Sequence, residues 1–168
     1  MFSGQPLLGS VWNPMAEYAR IALILKKTLV LVYGGSELEM EISATDHHTL
    51  HSLMLGKEVK VTVDRPMGSF HPEHRKLYYP VNYGYIEGIL APDGEEQDVY
   101  ILGVDHPVKE FRGRIIGIVY RQDDIEEKWV AAPEGMSFTR EQIWEQVKFQ
   151  EQYFQSDLIL TEDVERKE

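Results

Sequence analysis

The chain has no cysteine, so no disulfide staples it and no thiolate holds a metal, while its redox compartment is left open. It also lacks a long hydrophobic run. The most apolar stretch, IALILKKTLVLVY from Ile21 to Tyr33, is interrupted by Lys26 and Lys27 and falls short of the roughly 20 residues a spanning helix needs. Its positive charges sit inside the apolar segment rather than before it, which argues against a secretion signal. The expected location is the cytoplasm, with no membrane partner. Basic residues are scarce: 17 Lys and Arg face 28 Asp and Glu, a net charge of −11. Phosphate-backbone contacts need a surplus of Lys and Arg, so nucleic acid is not an expected partner. A small phosphate substrate that arrives with Mg²⁺ is compatible with an acidic site.

What is present centres on Tyr79 to Asp98, YPVNYGYIEGILAPDGEEQD. Pro92-Asp93-Gly94 is strong turn chemistry, with proline presetting one dihedral and glycine accepting positive φ. VYILG then reads as a buried strand. Asp93, Glu95, Glu96 and Asp98 crowd carboxylates at that strand's mouth, where a hard divalent cation would relieve their repulsion. A solvated acidic loop is the plainer reading of the same run. Tyr79, Tyr83 and Tyr85 stand just before it, and phenols are neutral donors able to bind phosphate oxygens. Some of these rings must also serve as ordinary strand packing.

At 168 residues, 43% hydrophobic and 27% charged, the chain is long enough for one globular domain with an appendage. Upstream, Asn13-Pro14 marks a helix start, and TLVLVY, Gly34-Gly35 and SELEMEIS read as a hairpin. His47, His48 and His51 match no standard ligand spacing and read as a solvated linker. KEVKVTVD, Lys57 to Asp64, alternates valines as a half-buried strand does, and GSFHPEHRK follows as a basic loop. RIIGIVY, Arg114 to Tyr120, is a second central strand; Asp123, Asp124, Glu126 and Glu127 form a second acidic cluster after it, and Lys128 opens the next strand. From Thr139 the pattern is helical: Thr139 and Gln142 have capping-box spacing, and Ile143, Val147 and Phe154, with Trp144 and Tyr153, give an apolar stripe.

The segments YYPVNYGYIEGILAPDGEEQDVYILG and RIIGIVYRQDDIEEKWVAAP, in that order, resemble the signature regions of the soluble family I inorganic pyrophosphatases. That family's pattern is Y-P-x-N-Y-G-Y, a short spacer, then D-G-D-P-x-D-V. The likeness runs from about Lys57 to Phe154, and the D-G-E-E variant is similar to that of the short, divergent group from anaerobic Gram-positive bacteria. It implies a mainly β (α+β) fold: an OB-like five-stranded β-barrel with a packed C-terminal helix. The pyrophosphatase-like domain would span residues 54–160, with 161–168 as a tail. Residues 1–53 match nothing in the signature and are either an extension from a mistaken start codon or an accessory segment.

The activity implied is Mg²⁺-dependent hydrolysis of inorganic pyrophosphate, with Mn²⁺ as the alternative cation. Carried over by position, Asp93, Asp98, Asp123 and Glu126 would hold metal, with Asp124 an alternative to Asp123. Glu95 stands where the family has the aspartate acting on the attacking water. Tyr79, Tyr83, Lys128 and Tyr153 would bind phosphate, with Arg75 and Lys76 substituting for cations of a hairpin that is shorter here; Asp64 falls near the site. Family members often form oligomers, so a homo-oligomer is within the expectation. The departures are specific: Glu95 and Glu126 replace aspartates, Glu96 replaces a proline, and Phe154 stands where the family has a lysine. They leave two alternatives open, a hydrolase of another phosphoanhydride such as a nucleotide, and a non-catalytic metal- or phosphate-binding paralogue.

Overall fold

The computed structural model describes residues 53–124, 126–161 and 163, with three strand segments upstream. Those three, β1 (Ile24–Leu25), β2 (Thr28–Tyr33) and β3 (Ser36–Glu41), pair antiparallel in chain order. Tyr33 pairs with Ser36, in keeping with the hairpin expected around Gly34-Gly35. The expected helix start at Asn13-Pro14 and the histidines at 47, 48 and 51 lie outside the described residues.

The remaining elements are β4 (Glu58–Arg65), β5 (Asn82–Leu90), β6 (Glu96–Ile101), β7 (Glu110–Arg121), β8 (Glu127–Ala132), α1 (Arg140–Glu151) and β9 (Ser156–Leu160). The strands pair in the order β4-β5-β6-β8-β7, and β7 returns to β4, so five strands close into the expected barrel. Closure depends on the length of β7. Its first half, Glu110 to Arg114, pairs with β4, and its second, Gly117 to Arg121, pairs with β9. Its other edge carries β8. Closure removes most of the free sheet edge that would otherwise invite pairing with another chain.

Strands of a barrel covered on its outside are buried on both faces, and their sequences lose the in–out alternation. VYIL in β6 is such a run. Val99 and Ile101 fill the barrel interior with Val61, Ile115 and Trp129. Tyr100 and Leu102 face the other way, into a second cluster with Val130, Ile143, Val147 and Leu158 that joins barrel to helix. Burying Ile143 and Val147 completely contributes about 1.5–3 kcal/mol each before the entropy of ordering the helix is counted.

The helix begins where the capping box places it: Thr139 Oγ1 accepts from the Gln142 amide at 3.2 Å, and the Gln142 side chain accepts from the Thr139 amide at 2.9 Å. Its far end differs from the apolar stripe read in the sequence. The helix stops at Glu151, whose carboxylate is buried; Tyr153 is 72% exposed, and Phe154 lies beyond the helix. Periodicity carried past the true C-cap accounts for that difference.

Strand register shifts between Val63 and Arg65, where Val63 pairs with Gly84 and Arg65 with Tyr83, leaving Asp64 as the extra residue of a bulge. Gly84 itself sits between β4 and β6. A Cβ there would collide with the Thr62 carbonyl and come within 2.8 Å of the Val63 Cα, both main-chain atoms of a paired strand. Gly84→Ala is therefore expected to destabilise the protein by about 2 kcal/mol or more, read as a lower denaturation midpoint in urea.

Candidate active site

Three strands bring the central residues together. Tyr83 of β5 pairs with Tyr100 of β6, two residues beyond Asp98 on the same face. Parallel pairing of Val99 with Trp129 sets Lys128 of β8 one step back, beside Asp98. Lys128, a residue only 4% exposed, bonds through its ammonium to Asp98 Oδ2 at 2.5 Å and Glu126 Oε2 at 2.7 Å. The Tyr83 hydroxyl hydrogen-bonds Asp98, and burial, reinforced by the Asp98 charge, pushes that phenol well above its ordinary pKa. Tyr83 is thus a neutral donor at physiological pH. The Tyr79 ring packs against Tyr83 at 5.5 Å between centroids. Asp98, Glu126, Lys128, Tyr79 and Tyr83, five of the residues expected at the site, converge.

The others are placed differently. Asp93 and Glu95 lie on the exposed turn, where Asp93 Oδ1 accepts from the Glu95 amide at 3.0 Å. Asp123 Oδ1 accepts from the Gln155 amide at 2.9 Å and so ties the β7–β8 turn to the start of β9. Arg75 and Lys76 are exposed on the 66–78 loop, which is closed at its base by a single bridge between Phe70 and Tyr78. Tyr153 points to solvent. Among the described residues, no three acidic or histidine side chains converge closely enough to hold a metal ion. Asp98 and Glu126 do meet around one cation, the Lys128 ammonium, while each keeps about a third of its side chain open. Two carboxylates with open solvent access have the chemistry to hold a hard divalent cation that keeps some of its waters.

Three residues enter that the sequence reading passed over. Arg121, last in β7, has a side chain 2% exposed; its Nη1 bonds Glu126 Oε2 at 2.9 Å and reaches Asp124 Oδ2 at 3.5 Å. Its Nη2 and Nε grip Glu151 in a fork at 2.9 and 3.1 Å. The Tyr100 hydroxyl and Ser156 Oγ donate to the same Glu151 carboxylate at 2.5 and 2.8 Å, and the Phe154 ring lies 3.6 Å beneath the guanidinium. Burial alone would raise Glu151, but the bonds from Arg121, Tyr100 and Ser156 outweigh it and hold its pKa below the ordinary value. The third is Arg65, which bonds Asp64 Oδ2 at 2.8 Å and the Tyr79 hydroxyl; its buried Nε has no protein partner. Burial, with Asp98 nearby, raises the Asp64 pKa despite the opposing pull of Arg65. The adjacent acid and arginine closing β4, Asp64-Arg65, were the signal available for Arg65.

A family model described as inorganic pyrophosphatase matches residues 39–153, well over half the chain. The chain belongs to the inorganic pyrophosphatase family. It is 32% identical over 88 residues to the inorganic pyrophosphatase of Rhodospirillum rubrum, covering 48% of this chain and 49% of that protein. With the soluble inorganic pyrophosphatase of Oryza sativa subsp. japonica it shares 30% identity over 123 residues, 69% of this chain and 57% of the relative. The chain spans about half the length of the curated bacterial relatives it matches. The crystal structure of inorganic pyrophosphatase from Ehrlichia chaffeensis superposes with a TM-score of 0.51 at 22% identity, over 67% of this chain and 91% of that one, a likeness of fold. The family needs a divalent cation.

Glu151 carries a folded-state pKa below its unfolded value, so its contribution is complete above the unfolded value near 4.5 and is lost as pH falls through the depressed one. Urea denaturation followed from about pH 7 to about pH 3 should show this loss. Glu151→Gln should lower stability at neutral pH by about 3–5 kcal/mol, because it strands the buried Arg121 charge, and should flatten the acid dependence.

Proposed function

We propose that the protein hydrolyses inorganic pyrophosphate to two phosphates in the cytoplasm, using Mg²⁺, with Mn²⁺ as the alternative. The observation that carries this reading is the nearly water-free Lys128 ammonium shared by Asp98 and Glu126, with Tyr83 on the same Asp98 carboxylate. Asp98 and Glu126 are the primary metal ligands. Asp93 and Asp123, or Asp124 in its place, supply further oxygens from the two acidic turns. When bound, the divalent ion neutralises phosphate charge and acidifies a water.

Every other contribution comes from the chain. Lys128, already buried and desolvated, offers a phosphate oxygen a cation whose interaction is little screened by solvent. Its flexible stem lets the ammonium leave the carboxylates as the divalent ion arrives. Tyr83 and Tyr79 donate neutral hydrogen bonds, and Arg65 offers its unpartnered Nε–H. Arg75, Lys76 and Tyr153 add outer contacts from exposed positions. Glu95, exposed beside the Asp93-Gly94 turn, takes the proton of the water whose oxygen bonds to phosphorus; the P–O bond to the bridging oxygen breaks and the second phosphate departs. Self-association into a homo-oligomer belongs to the same reading.

A second reading, a binding protein without turnover, is favoured by one feature: Glu95 lies on an exposed turn rather than against the Asp98–Lys128 pair.

Phosphate release from pyrophosphate, measured on the full chain with Mg²⁺ or Mn²⁺, should be fast. Asp98→Asn and Lys128→Met should each lower kcat/KM by about 100-fold or more, and Glu95→Gln by at least about 100-fold in kcat. A wild-type chain that binds metal yet releases no phosphate overturns the proposal. Turnover of nucleoside phosphoanhydrides in place of pyrophosphate would select the alternative of a hydrolase acting on another phosphoanhydride.

A further inference from the structure

The structure assigns Arg121 the part of a resident cation: it occupies carboxylates of the second acidic cluster from within the protein, so that the site takes up one divalent ion per chain before substrate arrives. This rests on the reading of Asp98 and Glu126 as the cation site.

The carboxylates that follow β7 are not left facing one another across an empty space. Glu126 Oε2 accepts from two protein cations, Arg121 at 2.9 Å and Lys128 at 2.7 Å, and Asp124 is drawn to the same guanidinium nitrogen at 3.5 Å. These two cations differ in what can move them. Lys128 has a single ammonium on a four-carbon stem, and a divalent ion entering between Asp98 and Glu126 can turn it aside. Arg121 is held at every face: forked onto Glu151, stacked over Phe154, and anchored at the end of a strand paired on both edges. Displacing it would leave the fully buried Glu151 carboxylate without its counter-ion.

A second ion on Glu126 and Asp124 would have to displace a guanidinium that already reaches both carboxylates and that Glu151 holds from its other side.

The test counts ions rather than turnover. Mn²⁺ binding by the full-length protein without pyrophosphate, followed by electron paramagnetic resonance of the free ion, should saturate at one per chain. The double variant Arg121→Gln with Glu151→Gln removes the guanidinium from Glu126 and Asp124 without stranding a buried charge, and should bind two. Arg121→Lys, which retains the positive charge, should stay at one. A wild-type stoichiometry of two or more overturns the inference and leaves the cation site standing. So does a folded double variant, judged by circular dichroism, that still binds one ion with wild-type affinity. If the double variant fails to fold, the wild-type and Arg121→Lys counts decide alone. No Mn²⁺ bound by wild type removes the cation site itself, a different failure.

Discussion

A guanidinium with almost no contact with water joins the end of β7 to the end of α1. Arg121 and Glu151 would each be costly to bury alone, and neither is alone: the fork between them is completed by Tyr100 and Ser156 on the carboxylate and by Phe154 under the guanidinium. A buried ion pair often adds little net stability compared with apolar residues of the same volume. What it does provide is direction. With all its partners fixed, the helix end, the start of β9 and the last residue of β7 have one arrangement, and the same guanidinium holds Glu126.

The site therefore hangs from the barrel's most heavily paired strand. β7 carries β4 and β9 along one edge and β8 along the other, so its final residues are anchored twice over. The Lys128–Asp98 contact follows from the parallel pairing of β6 and β8, which the barrel closure makes possible. In contrast, Asp93 and Glu95 rest on a turn held by its own short-range bonds. The strand-borne half of the site holds its charges in position, while the acidic turn is exposed and held only by local bonds.

The family departures gather around the same point. Glu126 is one methylene longer than aspartate, and the added length is used: it reaches both Arg121 and Lys128. Phe154, standing where the resemblance expects a lysine, supplies the aromatic face for Arg121 instead. A positive charge missing at one position is thus present at another, against Glu126.

Much of this was open to reading from residues alone. The strands of the barrel, the capped start of the helix, the turn at Pro92-Asp93-Gly94 and the meeting of Tyr83, Asp98 and Lys128 are written in short-range patterns or in the family signature. Alternation, turn chemistry and capping act over a few residues, and that is why sequence determines them. The pairing of Arg121 with Glu151, the exposure of Tyr153, and the capture of Glu126 and Asp124 by a guanidinium were decided only by tertiary structure. Nothing local marks a partner 30 positions away, and a charged residue looks the same in sequence whether it meets water or another charge; burial, which only the closed barrel and docked helix create, makes the difference.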